Sequence, residues 1–248
     1  MKNKIKIAVV GMGLMGSQHL KAIKLSKKAT LHSIVDINRT SKVQAKKFKV
    51  PFYKIKVYNG IRLELLQSNE SKIEISGDKT DKIKLKNTEG VLKISLRFPE
   101  LLAGDKVNVK LFYNKDIQTI DGNEGSKIIG KGINQTHLEV KAQEGASIKL
   151  EIKTKHLKVK SVTGGVVNLT GTSKNQDIEL DLYGVYHGYN LFTSNSSLVK
   201  AGTGSKAEVN AGETLLAKVS FGGSILYKGK PEVIKNKKMA GGIIKQMN

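Results

Sequence analysis

Three glycines and one acid are the residues whose types and spacing best fit a defined chemistry. Gly11, Gly13 and Gly16 stand in Gly11-Met-Gly-Leu-Met-Gly16, between a buried-strand pattern, Lys4-Ile-Lys-Ile-Ala-Val-Val10, and a helical stretch from Ser17 to Lys28. A strand, a glycine turn and a helix in that order form a pyrophosphate cradle. Gly11 makes the tight turn, Gly13 lets the backbone approach the anion, Gly16 lets helix and strand pack, and Met15 lies inside the turn. A second strand, Leu31-His-Ser-Ile-Val-Asp36, ends in an acid 20 residues beyond Gly16. That spacing suits a ribose hydroxyl and favours NAD, whereas Arg39 would accept the 2′-phosphate of NADP.

Elsewhere the candidates are sparser. Glu124 and Glu144 each precede a glycine at matching places, so stacked repeats would set the two carboxylates about 4.8 Å apart. Such a pair repels unless a cation, raised pKa values or lysines such as Lys127 and Lys141 relieve it, and Asp121 would add a third oxygen donor. The competing reading is two solvated corner acids, since no EF-hand spacing is present. Tyr183, Tyr186, His187, Tyr189 and Phe192 form the densest aromatic group, which offers either a ligand surface or core filling. His137 and His156 lie 19 residues apart before LEV and LKV, a placement that reads as a packed ladder rather than a metal site. No catalytic triad or carboxylate pair can be specified from spacing, so no catalytic residue and no metal ligand is assigned.

The elements that must carry these residues are of two kinds. Gly125, Gly145, Gly165, Gly184, Gly204, Gly223 and Gly242 recur at intervals of 20, 20, 19, 20, 19 and 19 residues. β-like stretches precede each one, as in HLEVKAQEG and LLAKVSFGG, and period-2 alternation such as ASIKLEI follows. A unit this short cannot bury a face alone, so the pattern predicts a parallel β-solenoid of about 20 residues per coil. Regular coils are expected from Ile117 onward, after cap strands within 54–113, with a final turn loosened by Pro231 and the KNKK run at Lys235 to Lys238. Charge marks a boundary near Pro51: residues 1–53 hold 12 basic residues against the single acid Asp36. The predicted organisation is a truncated Rossmann-like βαβα element over 1–53 and a mainly β solenoid over 54–248. The first element is a candidate cover for the open strand edge.

The formal charge of +22 suggests a polyanion, yet only Arg39, Arg62 and Arg97 are arginine among 43 basic residues, and Trp is absent. Arginine forks are the usual tool for bases and phosphates, so a specific nucleic-acid partner is not expected. Zero Cys excludes disulfides and thiolate chemistry and is typical of exported bacterial proteins. No run reaches transmembrane length. The basic start followed by IAVVGMGLMG has the outline of a signal peptide, but small residues do not fill both positions of a cleavage site near Gly16 and Ser17.

Two resemblances overlay this reading. AVVGMGLMGSQHLKAI, LHSIVDIN and AKKFKVPFY resemble the opening of the Gfo/Idh/MocA family of NAD(P)-dependent oxidoreductases as far as about Tyr53. The resemblance implies Gly11, Gly13, Gly16 and Asp36 as cofactor residues, but the family's catalytic Glu-Lys-Pro motif has no match. From Lys54 on, FYKIKVYNGIRLELLQSNESKIEISGD, LEVKAQEGASIKL and the terminal GGIIKQMN resemble the head GIN domain of putative auto-transporter adhesins. That resemblance implies a non-enzymatic cell-envelope or surface adhesin with a glycan or protein ligand, exported to the periplasm or cell surface. No cofactor is then expected; a truncated NAD(P)-dependent oxidoreductase, cytoplasmic as written, is the alternative.

Overall fold

The structure is a computed structural model that describes residues 5–10, 18–19, 22–23, 25–26, 29–35, 44–48, 50–77, 80–97 and 107–247, with the backbone alone for 5–10, 29–35 and 44. β1 (Ile5–Val10) and β2 (Ala29–Val35) pair in parallel, and the helical residues 18–19, 22–23 and 25 lie between them in the chain. This is the strand, helix, strand order that the glycine turn predicts. All later strands of the described residues form one hydrogen-bonded system.

That system is a parallel β-solenoid of about 7 turns with about 19 residues per turn. It begins with β3 (Gln44–Lys47), β4 (Lys54–Val57), β5 (Arg62–Gln67), β6 (Lys72–Gly77), β7 (Ile83–Thr88), β8 (Val91–Leu96) and β9 (Val107–Tyr113). β10 (Thr119–Gly122) leads into four long strands, β11 (Lys127–Ala142), β12 (Ser147–Ser161), β13 (Val166–Leu180) and β14 (Val185–Ala201). The chain ends in β15 (Lys206–Ala211), β16 (Thr214–Val219), β17 (Ser224–Lys228), β18 (Val233–Lys238) and β19 (Ile243–Gln246).

Two flanks result. The first stacks β8, β4, β10, the second halves of β11 to β14, then β16 and β18, all parallel. The second stacks β9, β5, the first halves of β11 to β14, then β15, β17 and β19. Parallel in-register pairing puts equivalent residues of successive turns over one another. Inward side chains therefore form columns such as Ile120, Val140, Val159, Ile178 and Val199, each essentially fully buried. Tyr186 is the large exception in the column Ile148, Val167, Tyr186, Ala207. Its ring fits because Gly188, two residues on, leaves the space it fills: a Cβ there would stand 2.5 Å from the ring. The Tyr186 hydroxyl donates to Gln176 Oε1 at 3.1 Å, and Gln176 Nε2 donates to Ser197 Oγ at 2.9 Å, which satisfies the buried polar atoms.

The evenly spaced glycines serve two purposes. At Glu144-Gly145 both residues have positive φ, 54° and 74°, so the corner is a tight two-residue turn that favours glycine. Gly125 and Gly204 hold the same left-handed place. Gly165, Gly184, Gly223 and Gly242 sit one residue later, where crowding decides: a Cβ on Gly165 would meet the Ala142 carbonyl oxygen at 2.2 Å. The single glycine series of the sequence is thus two adjacent columns.

The ends differ from the middle. At the start the parallel stack is closed by antiparallel strands: β7 on β8, β6 on β9, and β3 on β6. Regular coils begin before Ile117, since β4 and β5 already make one. At the other end Pro231 does not loosen the final turn, because β18 pairs with β16 in register over six residues. What changes is the inward face, where Asn236, Lys238 and Gln246 now stand in three of the columns and Ile234 and Ile244 in two others.

The stacking register predicts which deletions the protein tolerates. Removing Gly145–Thr163 joins Glu144 to Gly164-Gly165, restores the corner and lays the second half of β11 directly on that of β13. This one-turn deletion is expected to give a folded, shorter protein by circular dichroism and denaturant unfolding. Removing Gly145–Thr154 strips one flank from a single turn and should abolish cooperative unfolding. Equal damage from both deletions would refute the register.

Candidate ligand-binding flanks

Gly11, Gly13, Met15, Gly16 and Asp36, together with Arg39, lie outside the described residues. The remaining sequence candidates all fall on the solenoid, where the register decides which of them meet.

The corner acids do stack. Gly125 N donates to Glu144 O at 2.9 Å, so Glu124 and Glu144 occupy successive turns, but Glu124 Oε2 accepts from Asn59 Nδ2 at 2.5 Å. Asp121 is not their third donor. It is only 2 % exposed and faces Lys56 Nζ at 3.4 Å, while its Oδ1 accepts from Asn123 Nδ2 at 3.0 Å and Gln143 Nε2 at 3.2 Å. A buried carboxylate needs such partners, and these come from three different turns. Among the described residues no cluster of three or more His, Asp or Glu is arranged to hold a metal ion.

The histidine ladder is as the spacing predicts. His137 and His156 stack with ring centroids 4.8 Å apart and planes 13° from parallel, and they line a shallow groove of about 440 Å³ with Asn175, Asp177 and Ser196. Asn195 Nδ2 donates to Asn175 Oδ1 at 2.9 Å, which continues the polar column into the next turn.

The aromatic group divides. Tyr186 belongs to the core, as described above. Tyr183 is 67 % exposed at a corner, in the left-handed conformation (φ 65°) that glycine takes in neighbouring turns, and its ring covers Gly204. Phe192 is also exposed. His187 and Tyr189 form a polar pocket of about 290 Å³ with Asn168, Asn190 and Glu208. His187 Nδ1 donates to Glu208 Oε2 at 2.7 Å, Lys206 Nζ lies 2.7 Å from Glu208 Oε1, and Lys228 Nζ sits 4.9 Å above the Tyr189 ring. Burial alone would raise the Glu208 carboxyl, but hydrogen bonds from His187 and Lys206 outweigh it and hold the pKa below the ordinary value. Burial, then the Glu208 charge, pushes the Tyr189 phenol up.

One cavity has no counterpart in the sequence reading. β11 slips register between Gly130 and Ile133, where Lys131 and Gly132 bulge and Gly132 takes a φ of 66°. Beside the bulge lies a slot of about 400 Å³ lined by Leu66, Ile129 and Gly130 and rimmed by Glu64, Lys131, Lys149 and Glu151. The signal was Gly130-Lys-Gly132 inside a strand pattern, which marks a bulge without saying what it uncovers.

These features define a parallel β-solenoid domain whose grooves lie along its flanks and corners. More narrowly, residues 51–231 match the family model described as "Putative auto-transporter adhesin, head GIN domain", and the chain belongs to that family. Residues 5–75 also match a model of the NAD-binding Rossmann fold of the Gfo/Idh/MocA oxidoreductase family. The last part of that match, 54–75, is solenoid strand: β4, β5 and the start of β6. No curated protein matches the chain. Among solved structures, a putative adhesin from Bacteroides fragilis NCTC 9343 aligns with TM-score 0.73 and 22% identity over 84% of this chain and 99% of that one. A putative adhesin from Parabacteroides merdae ATCC 43184 aligns at 0.62 with 18% identity over 84% and 97%. A putative lipid binding protein from Parabacteroides distasonis ATCC 8503 aligns at 0.61 with 16% identity over 84% and 98%. At these identities the likeness establishes the fold. Within the described residues no helix is long and apolar enough to cross a membrane.

The Glu208 geometry sets a pH dependence. A carboxyl held below its unfolded pKa contributes stability above the unfolded value, and that contribution is lost as pH falls through the folded one. Glu208→Gln should therefore lower stability at neutral pH by about 1–2 kcal/mol, the size of a charge-assisted hydrogen bond. The difference from the parent should shrink in thermal melts as pH falls below the ordinary glutamate range. A difference independent of pH would show that the pair contributes by shape alone.

Proposed function

We propose that this chain is a non-enzymatic surface protein whose solenoid presents a ligand-binding flank, with a cell-surface glycan or a protein as the ligand. The observation that carries the reading is the head GIN family match, which spans the solenoid from Pro51 to Pro231. Export to the periplasm or cell surface belongs to the same proposal. The grooves support it: they are shallow, lined mainly by polar side chains and spread over several turns, which suits an extended ligand better than a small substrate. Intact cells producing the protein should expose it to antibody and added protease, and the purified chain should retain binding to cell surfaces. Protein found only in the cytosol would sink the proposal.

The second reading is an NAD(P)-linked oxidoreductase, favoured by the parallel pairing of β1 with β2. It would use Gly11, Gly13, Met15, Gly16 and Asp36 within an N-terminal unit, 1–53, distinct from the solenoid unit, 54–248. Dinucleotides lie across a switch point between two halves of a doubly wound sheet. Here the chain that should build onward from the first half is committed to the solenoid's sheet already at β3, which pairs with β6. The residues present therefore do not complete a dinucleotide crevice, and we expect no NAD or NADH affinity tighter than about 1 mM by calorimetry. Micromolar binding that Gly13→Val abolishes would reverse this choice.

A further inference from the structure

One outward register position of the first flank is lysine in almost every turn. At the N-terminal end Lys86 pairs with Lys93, which pairs with Lys56. In the middle Lys141 lies over Lys160, and at the far end Lys200, Lys218 and Lys237 follow one another without interruption. Asp121 and Glu179 alone break the series. Neighbours are about 4.8 Å apart, so the line runs roughly 40 Å along the molecule.

Both acids are already engaged, Asp121 with Lys56 at 3.4 Å and Glu179 with Lys200 at 3.1 Å. Lys141 meets Glu139 at 3.1 Å. Lys86, Lys93, Lys160, Lys218 and Lys237 have no ion pair among the described residues. Like charges directly opposite on adjacent strands destabilise a sheet. The fold does not require lysine at this register, since the outward column two residues earlier on the same strands is mixed, with Thr119, Leu198 and Leu216 in line with Lys158, Asp177 and Lys235. Beside the lysines runs an open groove of about 360 Å³, with Val162, Asp181, Gly202 and Ser220 on its other side. Past these the corner edge exposes Leu182, Tyr183 and Phe221.

We propose that this lysine ladder is a track for a linear acidic polysaccharide. Its repeating carboxylate or sulfate groups meet successive lysines, and the C–H faces of its sugars meet the exposed side chains of the corner edge. The inference deepens the surface-protein reading and rests on it only for where such a polymer is encountered. Regular spacing along a straight line selects a polymer over a compact anion, and relief of repulsion between stacked lysines favours binding. A single-stranded nucleic acid would instead call for successive aromatic rings along the track and for arginine forks. The ladder holds no arginine, and Tyr183 and Phe221 stand two turns apart at different corner positions.

The full chain is titrated with alginate and with dextran sulfate, with uncharged dextran and a single-stranded DNA oligonucleotide of matched charge as comparisons. Binding of the two acidic polymers should weaken with added salt, and dextran should not bind. Lys160→Glu with Lys218→Glu should reduce affinity at least tenfold, while Lys153→Glu with Lys155→Glu, the same charge change away from the ladder, should reduce it less than threefold. Should the first pair fail to fold, the unmodified chain still decides the matter. Alginate should protect Lys160, Lys200, Lys218 and Lys237 from acetylation, read by mass spectrometry, more than Lys153 and Lys155. Equal losses, uniform protection, or DNA binding tighter than alginate through the same lysines would overturn the proposal. Loss of ladder effects with cell-surface binding intact removes this inference alone; ladder effects in a protein confined to the cytosol remove the surface reading alone.

Discussion

Parallel hydrogen bonding in strict register is the constraint on which the rest of this molecule depends. Once Ile120 is bonded beside Val140, and Val140 beside Val159, every other residue of those turns is fixed against its counterpart. Inward positions become columns that must share a width, and outward positions become lines of repeated chemistry. A large residue can enter only where a neighbour gives way, as Gly188 does for Tyr186 with Ala207 in the turn above. The same constraint explains why polar partners come from distant parts of the chain: Lys56, Asp121 and Gln143 meet because they share or adjoin one register line.

Much of the architecture was legible because the constraint writes itself into the sequence. Strand alternation and glycine spacing depend on local rules, so the solenoid, its period and the His137–His156 stack could all be read from the chain. The two glycine columns could not be separated, since a glycine needed for positive φ and one needed for close approach look alike until the Ala142 carbonyl is seen. Partner choice was less accessible. Asp121 and Glu124 are close in sequence, yet Asp121 lies within β10 among Lys56, Asn123 and Gln143, while Glu124 stands at the corner beyond the strand against Asn59. The Glu208 partnership with His187 depends on residues 21 apart, and the slot beside Gly130 depends on a local slip of register that composition only hints at.

The start of the solenoid shows how two sequence patterns share one chain. Family likeness to a nucleotide-binding fold runs to residue 75, yet backbone pairing has passed to the solenoid by β3, whose hydrogen bonds to β6 extend the second flank's sheet. β8 and β9 then stack outside β4 and β5, although they follow them in the chain. The order of turns in space therefore differs from their order in sequence, and this departure is confined to the end where antiparallel strands close the stack.

The polar residues in the last inward positions, Asn236, Lys238 and Gln246, bear on whether one molecule can stack on another. A parallel in-register stack has the backbone geometry of a cross-β fibril, and nothing in its hydrogen bonding says where to stop. Another copy could in principle continue from β18 and β19. An inward Lys238 would then have to be sealed, charged, between two turns, and the lysines along β18 would face a second set of their kind. Copy-to-copy stacking at this face is thus opposed by side-chain chemistry on a backbone that would otherwise permit unlimited growth.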